Sequence, residues 1–230
     1  MKPLLIHDAL IINEGRSVLG SVLVMDGLIR HVFEGEVPSS LLEKADVLEA
    51  HGCWLLPGVI DDHVHFREPG LTHKADLRSE TMAALAGGVT SFMEMPNTKP
   101  QTTTLEAWEA KMALGEANAL ANYAFYLGAT NDNLEELLKA DFSRVCGVKV
   151  FMGSSTGNML VDNEKTLVGL FKKLPSVVAV HAESEGIIAA NKARYMALTG
   201  GVLPVSYHPL IRTAEACYAS AARAVELASA

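Results

Sequence analysis

Residues 61–70 read Asp61-Asp-His-Val-His-Phe-Arg-Glu-Pro-Gly70, and they follow the first strand of a repeating strand, loop, helix pattern. An open doubly wound sheet wants a glycine-rich phosphate turn at that place. This turn instead holds two histidines, an arginine and acids, so a (β/α)8 barrel is the favoured α/β architecture. In such barrels chemistry sits at the C-terminal ends of the strands, where the unusual residues of this sequence fall.

Outward from that turn, the apolar runs Leu55–His63, Val89–Met95, Asn122–Gly128, Val145–Met152 and Val177–His181 are strand candidates, with room for a helix between each pair. Alternating strands and helices predict a parallel sheet. Thr103 with Glu106 fits a capping box, Asp132 with Glu135 a looser one, and Gly87-Gly88 closes a helix over 74–86. A last helix over about 213–230 carries no stop signal. Residues 1–56 read as a small β unit. Asp26-Gly27 is a type I′ hairpin signal between 22–25 and 28–32, and His51-Gly52 is a weaker one between 47–50 and 53–56. The predicted domains are therefore 1–56 and 57–230, the second holding five βα units and stopping before a sixth strand.

The 230 residues are 49% apolar, enough for a sizeable core. A net charge of −8 with 19 scattered Lys and Arg argues against nucleic acid and anionic membrane as partners. Cys53, Cys146 and Cys217 form no CxxC pair, which fits a reducing compartment. His7 and Asp8 interrupt the N-terminal apolar run, and no run approaches 18 apolar residues, so neither a signal peptide nor a membrane span is expected. A cytoplasmic location follows.

Asp61, His63 and His65 share one face at strand period 2. Two neutral imidazoles at a strand end suit zinc, with an acid behind to fix the tautomer. An ordinary pair of turn histidines is the competing reading. Lys149 lies within Val145-Cys-Gly-Val-Lys-Val-Phe-Met152, an apolar strand that a barrel would bury on both faces. A buried lysine must find a partner, lose its proton or be modified, unless the strand is an edge and the side chain snorkels. His181 closes the fifth strand, ahead of Ala182-Glu183-Ser184 at a helix start. Elsewhere, His7, His31 and His51 belong to the β unit, and His73 reads as surface. His208 lacks a strand-end placement, Phe92, Met93 and Met95 read as core, and Glu135-Glu136 reads as a solvated helix face.

The 61–70 stretch, Met95-Pro-Asn-Thr-Lys-Pro100, Lys149 and His181-Ala-Glu together resemble dihydroorotases of the amidohydrolase superfamily. That resemblance covers nearly the whole chain. It implies a partial TIM-like barrel of the metal-dependent hydrolase type with a small N-terminal β-sandwich unit. The implied reaction is reversible hydrolysis of dihydroorotate to N-carbamoyl-aspartate in pyrimidine biosynthesis. It further implies two zinc ions, one held by His63 and His65 and the other by His181, bridged by Lys149 as a carbamate. Arg67 and Asn97 would bind the substrate carboxylate, and the full-length form would be a homodimer with small molecules as its other partners. An amide needs an electrophile and an activated water, which a metal pair supplies, and Arg67 offers a planar fork to a carboxylate.

The family's fourth metal histidine and its proton-shuttling aspartate find no match here, so residues 1–230 alone are expected to be inactive. Allantoinases and dihydropyrimidinases share the metal set, but Arg67 and the 95–100 segment argue against them. A non-catalytic scaffold would be expected to lose the ligands that this chain keeps.

Overall fold

The computed structural model describes residues 2–153 and 158–230. The chain divides into two compact units, Met1–Val59 and Ile60–Ala230.

In the first unit, β1 (Leu4–Asn13), β2 (Arg16–Met25), β3 (Leu28–Phe33), β4 (Asp46–Glu49) and β5 (Trp54–Leu55) form one sheet in the order β3-β2-β1-β4, with β5 also on β1. A short helix, α1 (Ser39–Lys44), precedes β4. Asp26 and Gly27 both take positive φ, 52° and 75°, so β2 and β3 form the antiparallel hairpin expected of that pair. His51-Gly52 does not make a second one. Both β4 and β5 run parallel to β1, because β1 is long enough to pair with each in turn, and residues 50–53 only step the chain along it. The core of this unit is Leu5, Leu23 and Ala45 under Phe33, Val37, Leu41 and Leu42.

The second unit alternates strands and helices. In order these are β6 (Val59–Val64), α2 (Leu77–Ala86), β7 (Val89–Glu94), α3 (Leu105–Asn118), β8 (Asn122–Phe125), β9 (Leu127–Gly128), α4 (Leu134–Leu137), β10 (Val148–Phe151), α5 (Glu164–Lys173) and β11 (Val178–His181). Helices α6 (Glu185–Leu198), α7 (His208–Ile211) and α8 (Ala214–Ser229) follow. The sheets are β6-β7-β8 and β9-β10-β11, with parallel pairing in β7/β8, β9/β10 and β10/β11. They meet where the strand expected over 122–128 breaks at Tyr126. Its N–H reaches Glu94 O at 3.1 Å, while Leu127 N–H turns to Gly147 O at 3.1 Å. One stretch of chain thereby pairs with β7 and then with β10.

Phe66, Leu77, Phe92, Trp108, Phe125, Val148, Val150 and Leu170 are buried together beneath the helices. Trp108 satisfies its indole N–H on Phe125 O at 2.9 Å, as a buried indole must. Among the described residues the cysteines are free, and no helix is long and apolar enough to cross a membrane.

Three helix starts differ from expectation. Helix α2 begins at Leu77 rather than 74, because Asp76 accepts Ser79 N–H at 2.7 Å and caps it. Thr104, not Thr103, caps α3 by accepting from Ala107 N–H, since the carbonyl of Thr103 is taken by Asn133 Nδ2. Asp132 caps nothing, and Asn133 precedes α4 without a side-chain cap. Glu136 is not a solvated bystander either. It accepts the N–H of Leu105 at 3.1 Å, which, with Lys139 beside it, holds its carboxyl below the usual range.

Candidate active site

Strand β6 carries His63 near its end, and His65 follows directly after it. Asp61 Oδ1 accepts the backbone N–H of His63 at 3.1 Å, so this acid shapes the strand end rather than gripping an imidazole. Met95 N–H bonds Val64 O at 3.0 Å, and Phe66 packs on Phe92 with ring centroids 4.6 Å apart. These contacts pin the segment on which His63 and His65 sit, with their rings 5.3 Å apart. Burial, then the Arg67 charge, pulls His65 down to about 4. Burial, then Lys149, lowers His63. Both are neutral at pH 7, the form that ligates metals.

The two motif loops form one body. Lys99 N–H bonds Pro69 O at 3.0 Å, and a Cβ at Gly70 (φ 80°) would collide with the Lys99 carbonyl. Glycine is required there by both backbone conformation and close approach. Asn97 lies against His65, and its Oδ1 is buried. Arg67 is close enough for its charge to act on the same imidazole. The groups expected to bind a carboxylate therefore both act on one neutral histidine.

Lys149 is 2% exposed on β10, which lies between β9 and β11. Edge-strand snorkelling is excluded. Its ladder partners are Gly128 and Ala179, the smallest residues available to flank a long side chain. Its Nζ lies 5.1 Å from the Phe151 ring centroid, and among the described residues no carboxylate pairs with it. Burial alone pushes its pKa down, toward the neutral amine.

His181 ends β11, and its ring stacks on Phe151 at 6.2 Å. Its Nε2 meets Glu183 Oε2 at 2.7 Å. Arg212 Nε donates to Glu183 Oε1 at 2.9 Å, and a second guanidinium nitrogen bonds Oε2. With Arg212 donating to the same carboxylate, Glu183 is placed to accept from Nε2–H, which leaves Nδ1 as the nitrogen free to ligate.

Lys149 and His181 both act on His63, and Lys149 also acts on His65, so the four expected ligands share one electrostatic neighbourhood. Among the described residues no three His, Cys, Asp or Glu side chains form a ready-made metal cage. The donor set is instead two neutral imidazoles, the Nδ1 of a third, and a buried amine without an anion. That chemistry fits a metal pair with a carbamylated lysine, because burial drives His63, His65 and Lys149 toward their neutral forms.

Sequence reasoning passed over Glu94, Lys111, Glu183 and Arg212. Lys111 carried a signal: it shares a helical face with Trp108 and Gly115, all three buried. Glu183 follows a strand-end histidine by two residues, which is only a weak signal.

The family model that matches residues 52–229 is described as dihydro-orotase-like. The chain belongs to the dihydro-orotase-like family. It is 32% identical over 195 residues to a dihydroorotase of Thermococcus kodakarensis, covering 84% of this chain and 44% of that protein. It is 39% identical over 178 residues to an allantoinase of Deinococcus radiodurans, covering 72% and 40%. An L-hydantoinase structure from Arthrobacter aurescens superposes with a TM-score of 0.87 at 27% identity, over 100% of this chain and 51% of the other. The chain thus spans about half the length of the dihydro-orotase-like relatives it matches. Their amidohydrolase fold agrees with the α/β architecture seen here; among the described residues neither barrel closure nor a sandwich completing the first unit is seen.

Proposed function

We propose that the full-length protein hydrolyses the ring amide of dihydroorotate reversibly to N-carbamoyl-aspartate. The observation that supports this reading is that Arg67 and Asn97 both act on His65. The Arg67 guanidinium fork suits a ring bearing a carboxylate, and the Asn97 side chain adds an amide N–H that can donate to the same group. Allantoin and hydantoin lack that anion. The allantoinase and hydantoinase likenesses nonetheless keep neutral cyclic amides as a second reading.

On this proposal His63, His65, Lys149 and His181 hold two zinc ions, which when bound polarise the amide carbonyl and activate water. The neutral amine of Lys149 adds to carbon dioxide, forming an N–C bond and releasing one proton to solvent. Its charge becomes negative at a position where no described carboxylate pairs with the side chain. Glu183 keeps His181 in the tautomer that presents Nδ1. Arg67 orients the substrate carboxylate, and Asn97 adds a neutral polar contact. Residues 1–230 alone are proposed to lack turnover, since no described residue takes the role of proton shuttle between water and leaving nitrogen.

Two outcomes follow. Arg67→Met should raise KM for dihydroorotate about 10- to 100-fold, the worth of a charge-assisted hydrogen bond, with kcat and zinc content much less changed in steady-state assays. Glu183→Ala should weaken zinc binding about 10- to 100-fold in a competition titration with a chromophoric chelator. Unchanged zinc affinity would remove Glu183 from the site.

A further inference from the structure

Glu94 and Lys111 are both fully buried, with Nζ and Oε2 3.0 Å apart. A buried ion pair is weak support for stability, because apolar residues of like volume often serve as well. Its other bonds point to a different role. Glu94 Oε1 accepts the backbone N–H of Arg67 at 3.0 Å, and Arg67 sits at φ 72°, a conformation that non-glycine residues avoid. Lys111 Nζ also donates to Met95 O at 3.0 Å, two residues before Asn97. Its remaining side faces the Phe125 ring, 4.9 Å from the centroid. One pair thus bonds to both motif loops, Glu94 from the end of β7 and Lys111 from α3, and neither element carries any of the expected metal ligands.

We propose that Glu94 and Lys111 are positioning residues that set the substrate-carboxylate subsite. Glu94 holds Arg67 in its left-handed backbone state, and Lys111 anchors the loop that carries Asn97. The subsite role rests on the dihydroorotate reading, whereas the hold on Arg67 does not.

Two double variants of the full-length protein test this, since either single change would strand a buried charge. E94L/K111M removes the charges and the acceptor for Arg67. E94Q/K111M removes the charges but keeps an acceptor. For E94L/K111M the expected result is a KM for dihydroorotate raised about 10- to 100-fold, with zinc content and kcat near wild type. Hydrogen exchange at the Arg67 amide should rise at least about tenfold. E94Q/K111M should recover most of both. Wild-type KM and Arg67 protection in E94L/K111M would overturn the proposal, and so would equal impairment of the two variants, which would mark the pair as structural only. If the wild-type protein turns over no dihydroorotate, the functional reading falls. Exchange at Arg67 then decides: faster in E94L/K111M and restored in E94Q/K111M supports the hold, and no change overturns it.

Discussion

Lys149→Met is expected to abolish ring hydrolysis while leaving the metal-free protein as stable as wild type, or more so. The two halves of this result have one cause. Lys149 is buried on a central strand with no described carboxylate to pair with, and burial disfavours its charge. Its amine therefore contributes little to the apo fold, and an apolar side chain of similar length removes a desolvation cost. On the proposed function the same amine supplies the bridging ligand, worth several kcal/mol of transition-state stabilisation, or about 10³-fold or more in rate. Zinc per chain should fall by at least half. Thermal melts belong on chelated samples, because bound metal adds stability by mass action. Near wild-type turnover, or a large loss of apo stability, would show that Lys149 is a structural lysine.

Lys111→Met is expected to do the opposite. This lysine is equally buried, but it neutralises Glu94 and bonds Met95 O. Burial pushes Glu94 toward its neutral form and the ammonium opposes that shift. Removing only the lysine strands a carboxylate in the core, at a cost of about 3–5 kcal/mol. A melting temperature lower by roughly 6–20 °C should follow for a unit of this size. Adding Glu94→Leu should recover most of the loss, because the stranded charge goes with it. A single variant that melts with wild type would contradict the buried ion pair.

Setting these lysines side by side shows what sequence could and could not supply. Lys149 was legible because a cation in an unbroken apolar strand has few physical outcomes, and its neighbours name the strand. Lys111 was not, because on a helix a lysine three residues after a tryptophan is usually solvated, and only the partner on β7 reveals its inward course. Glu94 was hidden for the same reason: within Phe92-Met-Glu-Met it looks like the outward position of a strand. Both become readable once the fold brings Lys111 of α3 to Glu94 of β7.

The alternation of strands and helices was read correctly, since period and composition report burial directly. Boundaries and local turns were less legible. His51-Gly52 has hairpin chemistry, but β1 offered two parallel berths, and tertiary pairing decided the outcome. Thr103 matched a capping pattern one residue early because Asn133, thirty residues on, claims its carbonyl. His63, His65 and His181 stand out in the sequence as histidines at strand ends, and Lys149 as a cation inside an apolar strand. The Glu183–Arg212 clamp was not, because Arg212 comes from a segment joining α7 and α8 that no periodicity links to β11.

The central claim is that the site acts on a cyclic amide carrying a carboxylate and needs metal to do so. Its most direct test is hydrolysis by the purified full-length protein, with dihydroorotate, allantoin and hydantoin compared at equal concentration, before chelation and after zinc is restored. The expected result is turnover of dihydroorotate well above that of the neutral rings, lost on chelation and regained with zinc. Preference for a neutral ring, or turnover indifferent to chelation, would contradict it.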